Sequence, residues 1–158
     1  MTEAATRLDE ALAPILDVVK TIDPSDPDAR ATLEARLPAD APAMQTLREL
    51  VRAGVADGWL ASRENGGIRF GRVKKAQSDD EVSIDCVHMD KPGPGHTHPN
   101  GEVDLSFAVS GEPTFDGDPP GWTVYPPGSW HVPTVAGGVM DILYFLPGGA
   151  IRFEPRPE

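Results

Sequence analysis

The chain has 158 residues, a net charge of −11 and 39% hydrophobic residues. That length suits one domain, or one domain with a modest extension, and supplies a real core without disulfides or a structural metal. No apolar run approaches the roughly 18 residues of a membrane-spanning helix, and the acidic balance argues against partners bound through phosphates, nucleic acid included. A single cysteine, Cys86, and an acidic opening without a basic-then-apolar layout predict no disulfide framework, no secretory signal and a cytoplasmic location.

In chain order, Leu8, Leu12, Ile15, Leu16 and Val19 recur at helical steps and predict an amphipathic helix over 3–20, with Pro14 expected to kink it or delay its start. Asp23, Asp26 and Asp28 read as capping residues in a turn before a short helix near 29–37. A third helix over about 43–56 carries Met44, Leu47, Leu50, Val51 and Val55 on one stripe, and Gly58 stops it. Residues 91–158 hold 12 of the 17 prolines and 11 of the 16 glycines, whereas 43–91 contain no proline. A helical front therefore precedes a turn-rich back.

From about Gly67 the period becomes two. Ile68 and Phe70, then Val82, Ile84 and Cys86, then Val103, Leu105, Phe107 and Val109 alternate, and short extended runs follow at 122–125, 131–135, 139–146 and 150–153. Strands so short and evenly spaced predict a sandwich or small barrel, a jelly roll being the natural candidate. The fold class is α+β, mainly β: an N-terminal helical extension over 1–62 and a barrel over 63–158.

Three of the four histidines fall in two neighbouring patterns. In the segment GHTHPNGE (95–102), His96 and His98 are two residues apart, so on an extended segment both imidazoles point to one side. Glu102 opens the next strand after a Pro-Asn-Gly turn and can aim at the same point. The segment PPGSWH (126–131) delivers His131. Three imidazoles and a carboxylate suit one divalent transition metal per subunit, Fe(II) or Mn(II) first, with Zn(II), Ni(II) or Co(II) compatible, and leave positions open for water or substrate. His88 and Cys86 alternate with Ile84 on a strand and read as ordinary core residues.

The spacing His-X-His-X3-Glu followed by Pro-X-Gly-X2-His resembles the two motifs of the cupin superfamily, which implies a double-stranded β-helix and metal ligands at His96, His98, Glu102 and His131. Two departures stand out: the glycine that usually closes the first motif comes late, as Gly111, and Val135 replaces the asparagine expected after the second. Over the whole chain the sequence also resembles the 4-hydroxylaminobenzoate lyase family. The stretches that carry this are LVRAGVADGW (50–59), GIRFG (67–71), HTHPNGEV (96–103) and YPPGSWH (125–131). The resemblance implies conversion of 4-hydroxylaminobenzoate to 3,4-dihydroxybenzoate and ammonia, in nitroaromatic breakdown. A metal could act there as Lewis acid, and no organic cofactor is expected, since no Gly-rich dinucleotide loop is present. Two other functions use the same donors: an Fe(II) dioxygenase opening a catechol or aminophenol ring, and a non-enzymatic cupin that binds a small molecule.

Strand phase adds further expectations. With Glu102 inward, Asp104 and Ser106 also face inward, and Asp104 becomes a proton-handling candidate beside the catalytic Glu102. The outward row Val103, Leu105, Phe107 and Val109 needs cover from the helices or a second subunit, so a homodimer is expected. A small aromatic acid needs a cation and an apolar slot. Arg63, Arg69, Arg72, Lys74 and Lys75 cluster in this acidic chain, and Arg69 and Arg72, on or beside the first strand, are the candidates for its carboxylate. Tyr125, Trp130 and Tyr144, with Trp122, are candidates to wall the ring.

Overall fold

A computed structural model describes residues 2–158. Three helices, α1 (Glu3–Val19), α2 (Ala29–Arg36) and α3 (Pro42–Asp57), precede nine strands. The strands are β1 (Arg63–Asn65), β2 (Ile68–Lys74), β3 (Val82–Met89), β4 (His96–His98), β5 (Glu102–Phe115), β6 (Gly121–Tyr125), β7 (Ser129–His131), β8 (Val135–Pro147) and β9 (Arg152–Phe153). No helix among the described residues is long and apolar enough to cross a membrane.

Thr2 caps α1 by accepting a hydrogen bond from the Ala5 amide at 3.1 Å, and the five predicted apolar residues are all buried. Pro14 does not delay the start of α1, which runs from Glu3 through Pro14 to Val19. Pro14 and Glu10 both lie on the exposed face, where water can take up the carbonyl that the missing N–H leaves free. The aspartates of the next turn act differently from the expectation of capping. Asp23 accepts from the Ser25 amide and Asp26 from the Asp28 amide, forming Asx turns, while Asp28 stands at the N-cap of α2 without a side-chain bond. Helix α3 has Pro42 in its first turn and ends on Gly58, whose φ of 85° suits glycine.

The strands form two antiparallel sheets, one of six strands in the order β1-β2-β3-β8-β5-β6 and one of three in the order β7-β4-β9. The run expected at 131–135 is divided: β7 ends at His131, and β8 begins at Val135 beyond Pro133. The late glycine, Gly111, sits where β5 slips register against β8. There the backbones approach so closely that a Cβ on the facing Gly138 would lie 2.1 Å from the Ser110 carbonyl.

Strand alternation separates two apolar clusters. On the outer face of the large sheet Ile84, Cys86, Val103, Leu105, Phe107 and Leu143 pack in one cluster with Leu12, Leu47 and Val51 of the helices. Each such side chain contributes about 1.5–3 kcal/mol of transfer free energy on full burial. Helices of the same chain thus cover the apolar row of β5, which removes the reason to expect a second subunit there. On the inner face Val87, Met89, Phe115, Ile142, Tyr144 and Leu146 form the second cluster.

Candidate metal centre and its cavity

His96 and His98 stand at the two ends of β4, whose register pairs His96 with His131 and His98 with Ser129 on β7. Cross-strand partners share a face, so the three imidazoles converge, and Glu102 reaches them from the first residue of β5. One donor atom from each of His96, His98, Glu102 and His131 lies within 4.8 Å of all the others. Glu102 Oε2 is 2.9 Å from His98 Nε2 and 3.6 Å from His131 Nε2, its Oε1 is 3.6 Å from His96 Nε2, and the Nε2 atoms of His96 and His131 are 3.1 Å apart. Neighbouring ligands at about 2.1 Å from one ion stand roughly 3.0–3.5 Å apart, so the spacing fits a shared cation.

The polar accounting points the same way. His98 Nε2 and both Glu102 oxygens are buried without a hydrogen-bond partner of proper geometry, although they are close to one another. Close, buried polar atoms left unpaired in this way are what a shared metal ion would satisfy. Burial opposes charge on Glu102, yet the imidazoles of His131, His96 and His98 hold its carboxyl well below the usual range. Burial likewise opposes charge on His131, but Asp116 and Glu102 prevail and lift it to about 9. The pocket favours positive charge at this point.

Each Nδ1 is tied down from behind. His96 Nδ1 meets the Pro94 carbonyl at 3.2 Å, and His131 Nδ1 meets Asp116 Oδ2 at 2.6 Å. His98 Nδ1 meets Ser129 Oγ at 2.9 Å, and that hydroxyl donates onward to the Pro126 carbonyl. With Nδ1 held by these acceptors, the Nε2 edge of each ring is turned inward. Asp116 also accepts from the Thr134 amide and from the Tyr125 hydroxyl. Asp116 is a site residue that the motifs do not reveal, because it lies outside both and reaches His131 only through the reversal of the chain. Ser129 was visible within the second motif, but its role was not.

Asp104 is fully buried on the inner face with no hydrogen-bond partner on either oxygen. Burial, then the charge of Glu102, pushes its carboxyl well above the ordinary range. Ser106, also inward, exchanges its hydroxyl with the backbone of Gly121.

A cavity of about 840 Å3 reaches the donor cluster at His96. Ile68, Phe70, Val87, Met89, Tyr144 and Phe153 give it apolar walls. Of the expected substrate-contacting residues, Tyr144 and Arg72 line it. Tyr125 instead packs on the imidazoles, its ring centroid 4.2 Å from that of His131. The others need correcting. Arg69 lies on the opposite face of β2, where its guanidinium donates to the carbonyls of Val55, at 3.0 Å, and Ala61, at 3.2 Å. Trp130 pairs with Thr97, not with a ligand, and so points away from the donors; its indole N–H donates to the Glu154 carbonyl. Trp122 is buried in the helix-facing cluster and donates to the Leu37 carbonyl. Cys86, buried, has its thiol pushed up to about 12, first by burial. His88, on the helix-facing side, bonds Asp141 at 2.7 Å.

The sequence profile of the 4-hydroxylaminobenzoate lyases matches residues 11–153. The chain belongs to the 4-hydroxylaminobenzoate lyase family. A 4-hydroxylaminobenzoate lyase of Nocardioides sp. (strain LMS-CY) is 35% identical to this family member over 119 residues, covering 68% of this chain and 70% of the relative. A 4-hydroxylaminobenzoate lyase of Pseudomonas putida is 29% identical over 169 aligned positions, covering 92% and 95% respectively. The DMSP lyase DddQ from Ruegeria pomeroyi DSS-3 superposes with a TM-score of 0.54 at 18% identity, over 99% of this chain and 100% of that one. The fold of this lyase-family chain is the cupin double-stranded β-helix, with three helices packed on its larger sheet.

Proposed function

We propose that the protein converts 4-hydroxylaminobenzoate, or a closely related hydroxylamino-aromatic acid, to 3,4-dihydroxybenzoate and ammonia with consumption of one water. The observation that carries this reading is the convergent donor set, reached at His96 by a largely apolar cavity with room for an aromatic ring, in a chain that belongs to this lyase family. His96, His98, Glu102 and His131 would hold a divalent metal, which supplies Lewis acidity toward the hydroxylamine oxygen or a water. The reaction breaks the N–O bond, the ring C–N bond and the neighbouring ring C–H bond and forms two ring C–O bonds, one oxygen coming from the hydroxylamine and one from water. The ring is oxidised as the nitrogen is reduced, so neither dioxygen nor an organic cofactor enters its balance.

The chain's own residues do the rest. Ile68, Phe70, Val87 and Met89 hold the ring and exclude water, and Tyr144 faces the same space beside His96. Tyr144 and Asp104 are cross-strand partners, so the phenol and the buried carboxyl share the inner face. Asp104, whose carboxyl burial pushes well above the ordinary range, is the proton-handling candidate on that face. Pro94, Ser129 and Asp116 keep the imidazoles in one tautomer through the cycle.

The test is anaerobic incubation of metal-supplied protein with 4-hydroxylaminobenzoate, with ammonia and the aromatic product quantified. Stoichiometric ammonia and 3,4-dihydroxybenzoate are expected, and Glu102→Gln should lose both bound metal and turnover. Turnover that appears only with dioxygen, or a ring-opened product, would replace the lyase reading with a dioxygenase.

A further inference from the structure

On the cavity wall, β1 and β2 carry two guanidiniums, Arg63 and Arg72, and β3 carries one carboxylate, Asp85. Arg72 is already matched: its Nε and Nη2 meet the two Asp85 oxygens at 2.7 and 3.3 Å, a two-point contact that uses the planar face a ligand carboxylate would need. Arg69 is withdrawn to the other face of β2 by main-chain carbonyls, and Lys74 and Lys75 are not among the residues lining the cavity. Arg63 is different. Its cross-strand partner is Phe70, so it shares the face of β2 that also presents Ile68 and Arg72 to the cavity. Among the described residues it takes part in no ion pair or side-chain hydrogen bond. One unit of positive charge is thus left uncompensated on the cavity wall of a chain with a net charge of −11.

We infer that Arg63 binds the carboxylate of an aryl monocarboxylate, with Arg72, braced by Asp85, flanking it, and so orients the opposite end of the ring toward His96. This rests on the proposed lyase reading for the identity of the substrate but not for the binding itself. One guanidinium left free matches one carboxylate in charge, and the apolar residues that share the cavity with Arg63 and His96 suit a ring. Arg63 then selects aromatic acids over neutral arylhydroxylamines.

The experiment titrates 4-aminobenzoate and aniline into the wild type, Arg63→Ala and Arg63→Lys by calorimetry, and measures turnover of 4-hydroxylaminobenzoate and phenylhydroxylamine. Arg63 is exposed and its side chain makes no hydrogen bond among the described residues, so unchanged melting temperatures are expected and are checked first. One charge-assisted pair is worth about a tenfold or greater preference for 4-aminobenzoate over aniline in the wild type. Arg63→Ala should erase that preference, Arg63→Lys should keep part of it, and kcat/KM for the acid substrate should fall about tenfold or more while that for phenylhydroxylamine holds. An undiminished preference in Arg63→Ala, or no preference in the wild type, overturns the inference. An Arg63-dependent preference without ammonia release from 4-hydroxylaminobenzoate would leave Arg63 as the carboxylate anchor and overturn the lyase reading instead.

Discussion

Asp116 has a left-handed backbone with φ of 51° and gathers three contacts, from the His131 ring, the Thr134 amide and the Tyr125 hydroxyl. A short polar side chain tolerates that conformation where most residues would not. Its carboxylate meets the Nδ1 of His131, the candidate donor that comes last in the chain. Asp116→Asn keeps the backbone preference while removing the charge. It is expected to weaken metal affinity by about 10-fold or more, toward the upper range for such supporting groups, with turnover partly recovered at saturating metal. Competition titration against a chelator of known affinity checks this. An affinity equal to the wild type would show that hydrogen bonding by the amide oxygen suffices. Nothing in the primary sequence marked this aspartate. The convergence of the four candidate donors was legible because extended-chain geometry ties them to fixed intervals, whereas Asp116 is brought in by the pairing of β5 with β8.

Among the elements, β5 shows how one strand serves two surroundings. Glu102, Asp104 and Ser106 face the inner side, and Val103, Leu105 and Phe107 join the helices. That partition was readable from alternation alone, as were the three helices and their buried stripes. Alternation did not, however, tell which face of β2 looks into the cavity. The β2 strand has only half-buried or exposed residues after Ile68, so its apolar pattern is weak, and Arg69 and Arg72 seemed equally able to meet a ligand. Their opposite faces give them opposite tasks. Arg69 stitches β2 to the end of α3 through the Val55 carbonyl. Arg69→Ala is therefore expected to cost about 2 kcal/mol, roughly 4–8 °C in melting temperature for a chain of this size, with KM unchanged. Thermal denaturation beside steady-state kinetics separates the two effects. A raised KM with unaltered stability would return Arg69 to the cavity.

For the molecule as a whole, the helix-facing cluster and the inner cluster are assembled from side chains that do not include the metal donors. The fold is expected to persist when the metal is stripped. Chelation should leave the far-ultraviolet circular dichroism unchanged while lowering the melting temperature, because an ion at 100 times its Kd adds about 2.7 kcal/mol to the stability of the folded state. Collapse of the spectrum on chelation would instead make the ion a folding partner. The acceptors behind the imidazoles carry this further. Since Pro94, Ser129 and Asp116 aim the nitrogens before any ion arrives, the donor set is a standing template whose ordering entropy is spent during folding. A template of borderline donors ranks divalent ions chiefly by their place in the Irving–Williams series. The ion carried by the isolated protein is then a record of the supply it met, and exchange at the bench, one metal at a time on the same folded chain, becomes a direct way to rank them by rate.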